Sequence, residues 1–494
     1  MNGLSRKIYI KLPLPTEDDP RSDQQRILDS LAVAGVEERV HITVHILRKL
    51  YPLLDNAKWK ITVSLAWNGE NWEMVEIEEG DTTVQHYGLA VDLGSTTVVA
   101  RLLDCNSGEI LKEVSCFNKQ IQWGTDILSR IFYCKDNKEK LEEVRRATVE
   151  SICECMDKLD ASLEMQGTSS EQKSENNGVS ESGDDRGAKN AAKKARTISQ
   201  SALSMVIAGN TTMIHFLLGM DAFCVFYTPH AVHADRPGFL LARDLDIPLK
   251  GYVYCYPAKS NYLGGDIISG MIDTELYKKN EISVFFDIGT NGELVIGNKE
   301  FLLCGAGAAG PALEGGVVRT GMRADIGAVD EVKIRDGNIF VHVIGNSAPQ
   351  GICGSGIIDL IAELFLEGWI DIRGKLSPEK SPLIQERDNQ LCVEYAPGLY
   401  FYQKDIDEFI RTKSAAHTMV EIMLRESGLE LSQADRFYVA GAFGKHVSKE
   451  SAITIGMYPD MDRDHIINAG NSSLEGAQKL LLNRSLLTDI DQIL

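Results

Sequence analysis

The stretch Gly88-Leu89-Ala90-Val91-Asp92-Leu93-Gly94-Ser95-Thr96-Thr97 decides how this chain is read, because its layout returns as Ser283-Val284-Phe285-Phe286-Asp287-Ile288-Gly289-Thr290-Asn291-Gly292. In both copies apolar β-type residues lead into an acid, then into glycine with hydroxyl or amide residues. A second apolar run comes back from the loop, Val98 to Leu103 in one copy and Leu294 to Ile296 in the other. Each copy then has a turn (Asp104 to Gly108, and Gly297 to Lys299) and a third short run (Glu109 to Val114, and Phe301 to Cys304). Two matched strand-loop-strand units predict two homologous half-domains of mixed α/β type.

The loops carry a definite chemistry. Glycine lets backbone approach a ligand, and successive N–H groups in a tight turn form a concave anion site. Ser95, Thr96, Thr97 and Thr290 add hydroxyl donors, with Asn291 beside them. An acid at the strand end does not bind phosphate itself, so Asp92 and Asp287 are candidates for holding Mg²⁺ or its water shell. Taken singly, either loop is also what an ordinary hairpin turn looks like.

With 494 residues, the chain exceeds one core and predicts several domains. A net charge of −20 argues against a nucleic-acid partner and against adhesion to anionic membranes. No apolar span approaches the ~20 residues needed to cross a bilayer. The start, Met1 to Pro13, is charged throughout and lacks an apolar signal core, so a cytoplasmic location is expected. The ten cysteines have no zinc or iron–sulfur spacing and read as free thiols in a reducing compartment.

Along the chain, residues 1–28 contain Pro13, Pro15 and Pro20 and read as a linker segment. Residues 29–86 read as a small α/β domain: a helix around Ile42 to Leu54, then two strands joined at Asn68-Gly69. The large domain is expected over 87–494. Its stretch at about 166–197 is polar and small-sided, and is expected to be a disordered insertion. Asn118, Gln120, Gly124, Asp126 and Arg130 follow the first repeat and are candidates to line a cleft. Gly209-Asn210-Thr211-Thr212 and Gly264-Gly265-Asp266 each precede a helix, where anion binding and simple capping are equally good readings. In the small-sided run Gly305 to Gly316 the single charge is Glu314, a candidate for water activation. Gly441-Ala442-Phe443-Gly444 ends a buried strand, and its small residues would let a flat ring slide over the backbone.

In this order, the motifs resemble the acetate and sugar kinase, heat-shock chaperone and actin superfamily. Within it, Asn118 with Gln120, Gly124 with Asp126 and Arg130, Ala208 to Met213, Gly264 to Asp266, Asp287 to Glu293, Ala308 to Gly315, Gly321 to Ala324, Gly351 to Asp359 and Val439 to Gly444 look like the reductive activators of corrinoid proteins. The resemblance runs from about residue 7 onward. It implies an actin-like ATPase fold, two ribonuclease-H-like halves facing across a nucleotide cleft. Gly94 to Thr97 and Gly289 to Gly292 would hold the phosphates of ATP, Asp92 and Asp287 the Mg²⁺, and Gly441 with Gly444 the adenosine. It further implies an ATPase that promotes return of a Co(II) corrinoid protein to Co(I). Members of that family typically carry an iron–sulfur domain, but no cysteine precedes Cys105 here. No iron–sulfur cluster is therefore expected in this chain, and the electron would come from a separate donor such as a ferredoxin. The resemblance leaves a homodimer open as the assembly. Two other readings stand beside this one: a small-molecule phosphotransferase on the same fold, and a nucleotide-binding interaction protein without a redox role.

Overall fold

The computed structural model describes residues 2–124, 126–171, 197–289, 292–307, 318–441 and 446–494. Most of the insertion expected at about 166–197 lies outside them; helix Lys138–Glu171 enters it from one side.

The first sheet has strand order β1-β3-β4-β2, with β1 at Ser5–Lys11, β2 at Val40–Ile42, β3 at Lys60–Trp67 and β4 at Trp72–Glu79. β1 runs antiparallel to β3, so the segment read as a linker supplies an edge strand to the domain that follows it. Its proline-bearing stretch is pinned by Arg26, which donates from Nη1 to Asp19 Oδ2 at 2.6 Å. The apolar face of the sheet packs Ile61, Val63, Leu65, Trp72 and Met74 against Ile27 and Leu31 of α1, Asp23–Val33. The single helix read over Ile42 to Leu54 is two, α2 at Val44–Leu47 and α3 at Leu50–Asn56. Pro52 is the cause: it has no N–H to bond the carbonyl four residues back, so it fits only in the first turn of a new helix.

Two compact units divide the chain. Apart from the last two residues, Met1–Ser269 joins Ser473–Gln492 in one, and Gly270–Ser472 forms the other. In the first, the large sheet has order β7-β6-β5-β8-β10-β9: β5 Tyr87–Leu93, β6 Thr97–Asp104, β7 Ile110–Phe117, β8 Ser204–Gly209, β9 Gly238–Leu241 and β10 Tyr252–Cys255. β5 and β6 form an antiparallel hairpin, while β8 lies parallel to β5 on its other side. Every residue of β8 is buried, as a central parallel strand covered on both faces requires. Leu89, Val91, Met205 and Ile207 share a core with Val144, Ile152 and Leu159 of the long helix. That layer comprises α4 at Ile127–Cys134, α5 at Lys138–Glu171, and α6 at Thr211–Leu217. α7, at Gly265–Thr274, follows β10.

The second unit repeats the plan with order β13-β12-β11-β20-β21. Here β11 is Ser283–Ile288, β12 Gly292–Gly297, β13 Leu302–Gly307, β20 Arg436–Ala440 and β21 Ile466–Gly470. β11 and β12 are an antiparallel hairpin, and β20 lies parallel to β11. Between β13 and β20 come two small sheets, β14 Ala328–Arg335 with β15 Asn338–Val343 and β16 Gly351–Ile352, and β17 Ile384–Arg387 with β18 Gln390–Ala396 and β19 Leu399–Tyr402. α8, Gly354–Leu366, and α9, Gln403–Ser427, complete the layer. α9 starts where Asp405 Oδ2 accepts from Tyr402 N at 2.9 Å, and stops at the left-handed Gly428.

Candidate functional site

The duplication holds at the level of register. In the first unit Asp92 of β5 lies opposite Ala208 of β8, and Gly209 follows; in the second Asp287 of β11 lies opposite Ala440 of β20, and Gly441 follows. Each half therefore brings an acid and a glycine turn together at the carboxyl ends of two parallel strands, the edge where open α/β sheets bind ligands. Sequence reading paired the two hairpins. It missed that Gly209 and Gly441 stand at equivalent places, because the parallel neighbour is far away in the chain.

In the first unit the hairpin loop is tight: a Cβ on Gly94 would lie 2.5 Å from the Thr97 carbonyl oxygen. Ser95, Thr96 and Thr97 follow, all partly exposed, and Asp92 is partly exposed beneath them. Ser473 Oγ donates to Asp92 Oδ1 at 2.9 Å. The turn after β8 is capped locally, with Asn210 Oδ1 accepting from Met213 N at 3.0 Å, so for Asn210 the capping role is present. Gly264 lies against Asn210 and Thr211, which brings the start of α7 to the same strand ends. Asp266 there accepts from Ile267 N at 2.9 Å. Desolvation at this site, with the Asp92 charge nearby, pushes the Asp266 carboxyl up to about 7. The edge thus holds two carboxylates in one electrostatic field, an oxygen-rich set that suits a hard divalent cation.

Asn118, Gln120 and Arg130 are fully buried, not cleft-lining. A polar chain behind the hairpin loop accounts for all three. Asn118 Nδ2 donates to the Gly94 carbonyl at 2.9 Å, and Arg130 Nη1 donates to the Ser95 carbonyl at 2.6 Å and to Gln120 Oε1 at 3.1 Å.

In the second unit Gly441 has φ +82°, and a Cβ there would lie 2.5 Å from the Ile288 carbonyl oxygen and 2.8 Å from Asp287 Oδ1. Only glycine lets β20 turn away this close to the acid. The Gly441 amide donates to Gly470 O at 2.9 Å, tying the turn to β21. Gly289 is partly exposed at the loop and Gly292 is buried at the start of β12. Thr290, Asn291, Glu314 and Gly444 lie outside the described residues. Asp266 and Ser473 are the members of this constellation that sequence reading did not assign to it. The Gly-Gly-Asp turn before α7 was the one available signal, and Ser473 offered none.

Comparisons with known proteins agree along most of the chain. Residues 281–494 match the family model described as the C-terminal domain of RACo, the ASKHA domain; 87–173 and 184–279 match the RACo middle region, and 1–84 the RACo linker region. The chain is 30% identical over 416 residues to the corrinoid activation enzyme RamQ of Eubacterium limosum, covering 81% of this chain and 64% of that protein. It is 28% identical over 259 residues to the Co(II) methylated amine-specific corrinoid protein reductase of Methanosarcina barkeri, covering 48% of this chain and 46% of that one. The chain thus spans 64% and 46% of the lengths of these two curated relatives. A solved reductive activator for corrinoid, iron-sulfur protein shares 33% identity and superimposes with a TM-score of 0.85, covering 100% of this chain and 75% of that one. With the duplicated sheets and the family match both in place, the chain belongs to the RACo family and carries its ASKHA, actin-like fold.

Proposed function

We propose that this chain is an ATP-driven activator of a corrinoid protein, promoting the one-electron return of its cobalt from Co(II) to Co(I), with the electron supplied by a separate donor such as a ferredoxin. The observation that carries the reading is the matched register of Asp92 with Gly209 and Asp287 with Gly441, at the ligand-binding edge of two duplicated sheets. On this reading Gly94 to Thr97 and Gly289 to Gly292 bind phosphate oxygens through backbone amides and hydroxyls. Gly441 and Gly444 take the adenosine, and Glu314 positions the attacking water.

Magnesium fits the residues present. Asp92 would hold it, directly or through water, with Asp287 at the corresponding place in the other half. Asp266, raised mainly by desolvation and further by the Asp92 charge, fits this reading, because a cation at the strand ends would favour the ionised form of both acids. When bound, the ion would neutralise phosphate charge. Asp92 stays oriented by the Ser473 hydroxyl, which donates to its Oδ1. ATP turnover would then be conformational work, since cobalt reduction needs an electron and not a phosphoryl group.

The test mixes the protein with a Co(II) corrinoid protein, a low-potential reductant and ATP, and follows the visible spectrum. Co(I) is expected to appear only with ATP, and to fail with Asp287→Asn. No ATP-dependent change with several corrinoid partners, or ATP hydrolysis undiminished in Asp287→Asn, would sink the reading.

A further inference from the structure

The first phosphate loop is held from behind through its carbonyl groups. Gly94 O accepts from Asn118 Nδ2 at 2.9 Å, Ser95 O from Arg130 Nη1 at 2.6 Å, and Thr96 O from Asn118 N at 2.9 Å. A trans peptide is planar, with its C=O and its N–H pointing opposite ways. Turning the Gly94, Ser95 and Thr96 carbonyls toward Asn118 and Arg130 therefore turns the Ser95, Thr96 and Thr97 amides away from them. Among the described residues, neither the Ser95 nor the Thr96 amide has a hydrogen-bond acceptor.

The holding groups are themselves fixed. Gln120 Oε1 accepts from Arg130 Nη1 at 3.1 Å, and Gln120 Nε2 donates to Thr148 Oγ1 of α5, which donates on to Val144 O at 2.8 Å. Arg130 Nε donates to Gly124 O at 2.9 Å. Arg130 has no ion-pair partner among the described residues, and its Nη2 is buried without a hydrogen-bond partner. Burial pushes it down to about 10, so it stays cationic at neutral pH. The Asp126 carboxylate acts on it only at longer range, so its burial stays costly, and an anion in the loop it touches would offset that cost.

We propose that Asn118 and Arg130 are positioning residues that hold the Gly94–Thr97 loop as a preformed set of outward amides for phosphate, with the Arg130 charge behind it. This rests on the reading that the loop binds phosphate. A purely structural role for the pair would lower stability and leave the ligand preference alone.

The test uses the full chain with Mg²⁺ and measures ATP and adenosine by displacement of a fluorescent ATP analogue, in wild type, Asn118→Asp and Arg130→Lys. The quantity read is the ratio of ATP to adenosine affinity within each protein, which does not depend on the fraction folded. Wild type is expected to prefer ATP strongly. Each variant is expected to lose about tenfold of that preference, the scale of one lost or reversed hydrogen bond, with adenosine affinity unchanged. A preference unchanged in both variants overturns this proposal and leaves the phosphate loop standing. A wild type that does not distinguish ATP from adenosine overturns the phosphate reading itself, and this one with it.

Discussion

Replacing Gly441 by alanine isolates what the turn beside Asp287 requires. Its φ of +82° is left-handed, where a Cβ costs roughly 1–2 kcal/mol. A second cost is steric: the new Cβ would sit 2.5 Å from Ile288 O and 2.8 Å from Asp287 Oδ1, well inside ordinary contact. Both neighbours belong to a strand end, so the strand and not a flexible tip must move, which adds about 1–3 kcal/mol. The sum is about 2–5 kcal/mol. Gly428, the C-terminal cap of α9, provides the control: φ is +70°, and nothing lies within 4 Å of its would-be Cβ. Gly428→Ala should show the conformational part alone, about 1–2 kcal/mol. Urea unfolding followed by circular dichroism gives the two values, and nucleotide titration gives the second readout, in which Gly441→Ala weakens binding and Gly428→Ala does not. Equal destabilisation by the two substitutions, with nucleotide affinity intact in both, would refute the claim that Gly441 is packed against the acid.

The Asp266 carboxyl, desolvated and beside the Asp92 charge, should titrate near 7 by carbon NMR, and somewhat lower in Asp92→Asn; an ordinary value in wild type would contradict the desolvation, and an unmoved value in the variant the proximity to Asp92. His86, buried with Nε2 2.8 Å from Ser5 Oγ, is pushed down to about 4 by desolvation. Because its folded value lies below the unfolded one, the unfolded chain binds the extra proton. Stability is therefore full above about pH 6.5 and falls as pH drops toward 4, by on the order of 3 kcal/mol. A His86→Asn variant with the same acid profile as wild type would rule this out. Trp72 is fully buried and its indole N–H donates to Glu38 at 3.1 Å, so Trp72→Ala should cost roughly 3–5 kcal/mol. A loss below 1 kcal/mol in thermal unfolding would mean the first sheet is not held through this residue.

What was legible in the sequence was whatever the chain states locally. The β5–β6 and β11–β12 hairpins are written as apolar runs around an acid-glycine turn, and α9 announces itself through its capping acid and terminal glycine. The site beyond the hairpins was less legible because tertiary approach assembles it. Asp266 looks like any acid at a helix start until α7 is seen beside Asp92, and Ser473 reaches Asp92 from the opposite end of the chain. Arg130 was misread for a related reason: an arginine is exposed by default, and only the three-dimensional path of the loop reveals the carbonyls that let it be buried. The split of the helix at Pro52 was legible in principle, but the apolar periodicity on either side of it spoke louder.

The first unit is discontinuous, with residues 473–492 completing what residues 1–269 begin, and this sets an order of events during synthesis. A nascent chain emerging from the ribosome presents the whole of Gly270–Ser472 before the helix at Ser472–Leu482 is available. The second unit can close on its own residues while the first still waits, with Leu481 absent as the acceptor for the Leu4 amide and Ser473 absent from Asp92. Asp92 thus receives its hydroxyl donor only after all of Gly270–Ser472 has been made, so a chain stalled short of that helix would carry a finished second unit and an unfinished first.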